Sequence, residues 1–305
     1  MSVIVRIGTR ASPMAMSQAG QVAATLNKLD DSVTAEVVPF TTTGDRWMGP
    51  LSELGGKGAF TKEVDSALLD GRCDVCVHCV KDIPGDQPLP DGTLIAGYAP
   101  RDDVRDAVIQ PEGLSLASLP DGARVGTSSP RRTAQLALHW PNLRPVPVRG
   151  NANSRLAKLD AGDFDALILA VAGLERIQLT ERITEILDTD TMLPAVGSGT
   201  LALQCRTDDT VTRDLVERIN HEPTQRRTDA ERTMLRLLQG HCHSPIGGYA
   251  VIESEDRMSL QGRVMSPDGT TFLEARSSHH DPEVLGTTVA DDLLKQGARD
   301  VIEKF

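Results

Sequence analysis

The apolar and polar positions of the first hundred residues alternate in blocks that predict strands and helices in turn. The segment VIVRIG is typical of a buried strand, and SPMAMSQAGQVAATLNKL has the apolar spacing of a helix. In KGAFTKEVDSALLDG, Phe60, Val64 and Leu68 repeat every four residues, and Gly71 is a plausible end for that helix. Strands that alternate with helices predict βαβ units and a mostly parallel sheet.

A second segment repeats this pattern from about Pro100. ARVGTSSPRRTAQLALHW and LRPVPVRGNANSRLAKLDAG each predict a strand, a turn and a helix, and DALILAVAG is typical of a buried strand. The stretch Arg6–Thr9 aligns with Arg124–Thr127, and a Ser-Pro pair follows each of them. This short repeat favours two similar α/β domains, although chance or shared turn chemistry would also produce it.

From about His221 onward the pattern changes. The segment HEPTQRRTDAERTMLRLLQG predicts a helix with Thr224 as a candidate N-cap, and YAVIES, MSLQGRVMS and TFLEARSS predict short strands. In the final helical segment, Leu285, Val289 and Leu293 form one apolar stripe. The predicted fold class is α/β, with two α/β domains and a small α+β C-terminal domain.

Composition narrows the class of protein. The 305 residues favour two or three domains, and a net charge of -11 with 3% aromatic residues argues against nucleic-acid binding. The N-terminal segment lacks the composition of a signal or transit peptide, and no apolar run reaches transmembrane length. Five cysteines in a chain without an export signal predict reduced thiols, a cytoplasmic setting and no membrane association.

Three of the cysteines, Cys73, Cys76 and Cys79, have the C-x2-C-x2-C spacing of a metal or iron–sulfur site. The surrounding segment CDVCVHCV is instead typical of a buried strand, in which successive side chains face opposite sides. On that basis Cys76 points away from Cys73 and Cys79, so one metal ion cannot bind all three. We therefore expect no metal site here, and small apolar side chains filling a parallel strand.

Lys81 and Asp82 follow this strand in the segment KDIPGD. The carboxyl ends of strands in open α/β sheets present ligand-binding residues. Adjacent residues of an extended chain face opposite ways, but a turn can direct both side chains toward a cleft. The alternative is a solvated turn with an ordinary Lys–Asp pair.

Arginines and hydroxyls recur where predicted strands give way to predicted helices. Backbone N–H groups, hydroxyls and guanidiniums together form a good anion site, whereas arginine at a helix N-terminus is mildly unfavourable for stability. These residues are Thr127, Ser128, Ser129, Arg131 and Arg132 in GTSSPRRT, Arg149 and Arg155 in RGNANSRL, and Arg10 and Ser12 in GTRASP. Their recurrence in a chain of negative net charge predicts a multiply anionic ligand.

Another cysteine, Cys242, lies between His241 and His243, just after Gly240, the expected end of a helix. The dipole at a helix C-terminus opposes thiolate formation, so strong activation is not indicated. An exposed loop cysteine can still be a covalent attachment point for an electrophile. The alternatives are a His-Cys-His metal fragment and an ordinary loop thiol.

Several short segments form a set when they are taken in order along the chain. They are IGTRASPMAMSQA, GGKGAFTKE, VHCVKDIP, RDDVRDAV, VGTSSPRR, RGNANSRLAKL, LILAVAGLERI, LPAVGSG and GHCHSPIGGYA. This set resembles the porphobilinogen deaminase (hydroxymethylbilane synthase) family over essentially the whole chain. The resemblance implies two α/β domains like the halves of type II periplasmic binding proteins, with crossovers between them, and a third domain that carries a cofactor. It implies domain 1 at residues 1–98 and 197–217, domain 2 at 99–196 and domain 3 at 218–305.

The resemblance also implies a cofactor and a reaction. The cofactor is dipyrromethane, two linked pyrroles bonded through a thioether to a cysteine, and Cys242 occupies that position here. The family is a transferase of tetrapyrrole and heme biosynthesis. It joins four porphobilinogen units head to tail, releases ammonia with each, and yields the linear tetrapyrrole hydroxymethylbilane by hydrolysis.

Residue roles follow from the same resemblance. It places Asp82 beside the pyrrole nitrogens, where a carboxylate accepts N–H hydrogen bonds, stabilises developing positive charge and can shuttle protons. Contacts to carboxylates of cofactor or substrate are implied for Arg10, Ser12, Lys81, Arg131, Arg132, Arg149, Arg155 and Arg176. Lys57 is implied to belong to a loop over the cleft. The family expectation is a monomer with porphobilinogen as its small-molecule partner.

Three positions depart from the family pattern. Cys79 stands where serine is usual, Pro130 where leucine is usual, and Ser198 where glutamine is usual. Pro130 suits an early helical position, and none of the three changes the reaction class. The alternative function is a non-catalytic anion-binding protein of periplasmic-binding-protein architecture, which would carry no covalent pigment.

Overall fold

A computed structural model describes residues 3–47, 58–241 and 244–304. Two of the predicted site residues, Lys57 and Cys242, therefore lie outside the described residues. The chain forms two compact units, Met1–Asp102 with Gly199–Arg226, and Asp103–Ser198 with Arg227–Phe305. The division into three domains at the boundaries given above stays a prediction.

Strands and helices alternate along most of the chain. The strands are β1 Val3–Arg10, β2 Val33–Phe40, β3 Val75–Cys79, β4 Thr93–Tyr98, β5 Asp106–Ile109, β6 Arg124–Gly126, β7 Arg144–Val146, β8 Ala166–Ala170, β9 Glu185–Ile186, β10 Leu201–Arg206, β11 Ile246–Ser254, β12 Arg257–Met265 and β13 Phe272–His279. The helices are α1 Pro13–Leu29, α2 Thr43–Arg46, α3 Lys62–Leu69, α4 Pro130–His139, α5 Ala152–Asp160, α6 Val171–Arg176, α7 Thr210–Glu217, α8 Glu222–Leu237, α9 Pro282–Lys295 and α10 Ala298–Ile302.

The first unit contains a five-stranded sheet in the order β2-β1-β3-β10-β4. β1 is parallel to β2 and β3, whereas β10 is antiparallel to both β3 and β4. Val22 and Leu26 of α1 are buried in one core with Val5 and Ile7 of β1. Because β1 and β3 run in parallel, Arg10 and the segment that follows Cys79 emerge at the same edge of the sheet.

The second unit contains a five-stranded sheet in the order β7-β6-β8-β5-β9, and its pairing pattern is the same. β1 and β6 hold equivalent positions in the two sheets. The backbone N, Nε and NH2 of Arg6 donate hydrogen bonds to the Asp74 carboxylate, and the same three atoms of Arg124 donate to Asp165. The short repeat in the sequence therefore marks a structural repeat.

The C-terminal part of the second unit is a three-stranded antiparallel sheet, β11-β12-β13. Leu285, Val289 and Leu293, the predicted stripe of α9, are fully buried in one core with Met234 of α8. The predicted fold class, two α/β domains and a small α+β C-terminal part, is confirmed.

The start of α8 differs from its prediction. The helix begins at Glu222, so Thr224 lies inside its first turn and is not the N-cap. The Thr224 hydroxyl instead forms a 2.8 Å hydrogen bond with Nδ1 of His221, the residue before the helix. A threonine hydroxyl can bond a neighbouring side chain as well as a backbone N–H, so a threonine near a helix start need not be the N-cap.

Within the described ranges, no helix combines the length and the apolar character that crossing a bilayer requires. α1, with 17 residues, is the longest helix of that part of the chain, and it carries polar side chains such as Gln21, Asn27 and Lys28.

Candidate active site

Lys81 and Asp82 lie in a short 3-10 turn, Val80–Asp82, directly after β3. The turn ends the strand alternation, so the two side chains are not forced to opposite faces. Val80 and Ile83 are buried on either side of the pair and anchor the turn to the core. Asp82 is half-buried and Lys81 is exposed, so both are within reach of a ligand at this edge of the sheet.

Arg10, the last residue of β1, lies beside Asp82. Its NH1 atom is 3.7 Å from Oδ2 of Asp82, its Nε donates to Oδ2 of Asp45 at 3.3 Å, and its NH2 donates to Oδ1 of Asp45. The guanidinium carbon lies 4.4 Å from the centroid of the Phe60 ring. Burial disfavours the charge of Arg10, but the Asp45 and Asp82 carboxylates outweigh it and raise the pKa of Arg10. Arg10 is thus a charged group held between two carboxylates.

Ser12 and Cys79, at the same edge of the sheet, have partners within the first unit. The Ser12 hydroxyl accepts a hydrogen bond from the backbone N–H of Ala15 at 3.3 Å and caps α1. The Cys79 thiol accepts a hydrogen bond from Nε2 of Gln18 at 3.3 Å. The thiol that replaces the family's usual serine therefore keeps a side-chain hydrogen bond.

The prediction that Cys76 points away from Cys73 is wrong. β3 begins at Val75, so Cys73 lies in the turn before the strand, and its Sγ atom is 3.7 Å from that of Cys76. Both thiols are buried against α3, and burial raises the pKa of Cys76 well above its ordinary value. Cys79 lies apart from this pair. Among the residues that the structure describes, no three His, Cys, Asp or Glu side chains are grouped so that they could hold a metal ion.

The GTSSP turn of the second unit is fixed by its own hydroxyls. Ser129 caps α4, and Oγ1 of Thr127 accepts a hydrogen bond from the backbone N–H of Ser129 at 3.2 Å. The Ser128 hydroxyl bonds both backbone groups of Val148, donating to its carbonyl at 2.7 Å and accepting from its N–H at 2.9 Å. Pro130 occupies the first position of α4, as expected from its fixed backbone angle.

Arg131 and Arg132 share one buried carboxylate, that of Asp106 at the start of β5. NH2 of Arg131 donates to Oδ2 at 2.7 Å, and Arg132 donates to Oδ2 through Nε at 3.1 Å and to Oδ1 through NH2 at 2.6 Å. Each arginine also donates to a main-chain carbonyl, Arg131 to Leu193 at 2.7 Å and Arg132 to Ile168 at 2.9 Å. The two guanidiniums are therefore oriented by the protein before any ligand binds.

Arg155, in α5, has positive neighbours and no carboxylate partner among the described residues. Its Nε donates to the carbonyl of Gly150 at 2.8 Å. Burial, followed by the charges of Arg132 and Arg149, lowers the pKa of Arg155 to about 10. A half-buried cation that its neighbours repel is the arrangement expected where an anion binds.

The structure thus brings several of the predicted residues near one another within each unit. Arg10 meets Asp82 in the first unit, and Arg132, Arg149 and Arg155 form an electrostatic cluster in the second, while Arg176 is the last residue of α6.

Two residues at these clusters, Asp45 and Asp106, are missing from those predicted by sequence. Asp45 could have been found from the T-x-x-D capping box that begins at Thr42. Asp106 could have been found as an acidic residue that begins the apolar strand DAVI.

The chain is similar to one known family along most of its length. The family model described as "Porphobilinogen deaminase, dipyromethane cofactor binding domain" matches residues 5–214, and "Porphobilinogen deaminase, C-terminal domain" matches residues 226–295. Porphobilinogen deaminase 2 of Streptomyces coelicolor is 55% identical over 302 residues, which are 98% of this chain and 96% of the relative. Porphobilinogen deaminase of Acidithiobacillus ferrooxidans is 46% identical over 300 residues, with 98% and 97% covered. The chain belongs to the porphobilinogen deaminase family, as the sequence motifs predict.

Solved structures similar to this chain include periplasmic binding proteins. The methionine-binding protein MetQ matches with a TM-score of 0.45 and 16% identity, covering 71% of this chain and 89% of that chain. The aliphatic sulphonate-binding protein SsuA of Escherichia coli matches with a TM-score of 0.42 and 16% identity, covering 76% and 70%. Likenesses at this level say nothing about the ligand of this chain.

Proposed function

We propose that this chain joins four porphobilinogen units head to tail, releases one ammonia per unit and yields hydroxymethylbilane by hydrolysis. Its family membership supports this reaction. The observation within the structure that carries the proposal is the cluster of Arg132, Arg149 and Arg155, where burial and then the charges of Arg132 and Arg149 lower the pKa of Arg155 to about 10. Arg155 has no carboxylate partner among the described residues, so the negative charge of a ligand would compensate its own charge. Every pyrrole of the substrate carries an acetate and a propionate arm, so the growing chain supplies that charge.

The dipyrromethane cofactor of the family fits the residues of the second unit. We propose that Arg131, Arg132 and Arg155 hold its carboxylates, because Asp106 and two main-chain carbonyls already fix the first two guanidiniums. The Thr127–Ser129 turn lies at the N-terminus of the same helix, where the helix dipole favours an anion. Cys242, outside the described residues, is the proposed thioether attachment. When bound, the cofactor supplies the terminal pyrrole carbon to which the first substrate unit is joined.

Asp82 is the proposed catalytic residue. Loss of ammonia from an electron-rich pyrrole leaves positive charge on the ring, and a carboxylate near the ring nitrogen stabilises that charge through an N–H hydrogen bond. Asp82 can also accept the proton that the ring loses when aromaticity returns. Arg10 and Lys81, at the same edge of the sheet, are proposed to bind substrate carboxylates. The same role is proposed for Arg149 and Arg176.

The test of this function is the intact mass of the denatured protein, purified from cells that make porphobilinogen. The wild-type chain is expected to carry the extra mass of two linked pyrrole units, and Cys242→Ser is expected to lose it. Cys79→Ser is the matched control, because it replaces a cysteine with the residue usual in the family and leaves Cys242 in place. Supplied with porphobilinogen, the loaded protein is expected to release ammonia.

A folded wild-type chain without added mass would contradict the proposal and would favour the non-catalytic anion-binding protein. The finer expectations from sequence, a cytoplasmic monomer that binds no nucleic acid, remain part of the proposal. Light scattering of the loaded protein in solution checks the monomer.

A further inference from the structure

The guanidinium of Arg10 is shared unequally between two carboxylates. It hydrogen-bonds Asp45 through both Nε and NH2, whereas NH1 stops 3.7 Å from Oδ2 of Asp82, beyond hydrogen-bond range. The ring of Phe60 lies against the guanidinium and restricts its movement. Arg10 is therefore oriented by Asp45 and only approaches Asp82.

Asp45 is itself held in place by its own turn. The backbone N–H of Thr42 donates to Oδ2 of Asp45 at 3.3 Å, and the Thr42 hydroxyl donates to the same oxygen at 2.7 Å. In the same short helix, the backbone N–H of Thr43 donates to Oε1 of Glu63 at 2.9 Å, which ties the turn to α3. The carboxylate that faces Arg10 therefore has a fixed position.

The charges of this group matter for the proposed chemistry. One guanidinium and two carboxylates carry a net charge of -1, so Asp82 keeps negative charge that Arg10 does not compensate. Without Asp45, Arg10 and Asp82 would form a neutral pair at a distance where opposite charges attract strongly. A carboxylate paired in that way is a weaker stabiliser of positive charge on a pyrrole ring.

We propose that Asp45 is a positioning residue for the reaction: it binds the Nε–NH2 edge of Arg10 and thereby keeps Arg10 from neutralising Asp82. This inference rests on the proposed function, because it assigns Asp45 a part in turnover at Asp82. It requires Asp45 to act through Arg10 and not by contact with the substrate.

The first test is the variant Asp45→Asn in the cofactor-loaded enzyme. Its kcat is expected to fall by about tenfold, because Arg10 swings onto Asp82 and weakens the stabilisation of the transition state. Its KM is expected to stay level or fall, because the Arg10 edge released by Asp45 is open to a substrate carboxylate. Glu63→Gln is the matched control: it removes one negative charge from α3 beside this turn, keeps a side-chain oxygen that can accept from Thr43, and leaves the Asp45–Arg10 pair intact. Its kcat is expected to stay within about twofold of wild type.

The second test is a double-mutant cycle with Arg10→Gln. In that background Asp45→Asn is expected to change kcat by less than about twofold, because the residue through which it acts is absent. Additive losses in the cycle, or a raised KM with unchanged kcat in Asp45→Asn, would overturn the inference. The cofactor mass and the ammonia release of the wild-type enzyme are measured first. A failure of the proposed function appears there, whereas a failure of this inference appears only in the variants.

Discussion

The carboxylate of Asp106 is buried, and its Oδ1 atom accepts a 2.6 Å hydrogen bond from NH2 of Arg132. Burial alone would raise the pKa of Asp106, but the charges and hydrogen bonds of Arg131 and Arg132 outweigh burial and hold it far below the ordinary value of 3.8. Two arginines that are proposed to bind the cofactor therefore depend on one buried carboxylate for their orientation.

Replacing Asp106 by Asn is expected to destabilise the protein by about 3–5 kcal/mol, because two buried guanidiniums lose their counter-charge. Urea denaturation of the apoprotein measures the change. Asp103→Asn is the matched control: it breaks the more exposed Asp103–Arg105 ion pair in the same RDDVRDAV segment, at an expected loss of about 1 kcal/mol or less. Equal losses of unfolding free energy in the two variants would show that the buried Asp106 ion pairs stabilise the protein no more than an exposed ion pair does.

The same carboxylate predicts a pH dependence with a definite sign. Because the pKa of Asp106 is lower in the folded than in the unfolded chain, its contribution to stability is fully present above about pH 5. The contribution is lost as the pH falls below 3.8, the ordinary value, toward the folded pKa. The free energy of unfolding of the wild type is therefore expected to fall more steeply than that of Asp106→Asn between pH 5 and pH 3. Parallel curves would contradict the assignment.

Replacement of Arg155 is expected to affect cofactor loading without lowering the stability of the apoprotein. Because burial and two neighbouring arginines lower its pKa to about 10, its charge destabilises the folded apoprotein. Arg155→Leu is expected to leave the melting temperature of the apoprotein unchanged or higher, yet to lower cofactor loading by about tenfold or more through loss of charge-assisted hydrogen bonds.

The control for Arg155 is Arg124→Leu. It removes a partly exposed arginine of β6, in the same unit, that pairs with Asp165 outside the arginine cluster, so it is expected to load the cofactor normally. Intact mass measures loading in both variants. A normally loaded Arg155→Leu chain would show that the charge cluster serves another purpose.

Much of the fold was predictable because helices and strands with one buried face have apolar residues at regular intervals in the sequence. The stripe of Leu285, Val289 and Leu293 and the three C-terminal strands follow directly from those intervals. The position of β10 did not, because its pairing with β3 and β4 joins segments more than a hundred residues apart. The repeat of Arg6 and Arg124 was visible in the sequence, but its meaning required Asp74 and Asp165, which no local pattern identifies.

The candidate site was predictable to a similar degree. The arginines that lie between a strand and the next helix can be recognised in the sequence, because positive charge at a helix N-terminus is unfavourable. Their pairing with acidic partners cannot be predicted from local sequence, because Asp45 is 35 residues from Arg10 and Asp106 is 25 residues from Arg131. The error at Cys73 arose because the predicted strand included Cys73 and Asp74, which lie before β3, where the alternation of side chains along a strand does not apply.

The two glycines Gly8 and Gly20 predict opposite effects of the same substitution. A Cβ at Gly8 in β1 would lie 2.6 Å from Sγ of Cys73, whereas a Cβ at Gly20 in α1 would meet nothing within 4 Å. Gly8→Ala is expected to destabilise by about 1–3 kcal/mol through overpacking. Gly20→Ala is expected to stabilise by about 0.5–1 kcal/mol, because alanine favours the helix. Thermal unfolding of both variants checks the signs, and a neutral Gly8→Ala would contradict the close packing of the Cys73–Cys76 pair.

Asp82→Asn separates binding from turnover. The amide keeps the size of the side chain, and the cofactor residues of the second unit are untouched, so intact mass is expected to show normal loading. Ammonia release is expected to fall by about 10²–10³-fold, because the amide cannot stabilise the ring charge or accept the departing proton. Asp91→Asn, at an exposed carboxylate in the turn before β4, is the control and is expected to turn over normally. Near-normal ammonia release from Asp82→Asn would remove Asp82 from the catalytic role, and with it the reason for holding Arg10 away from that carboxylate.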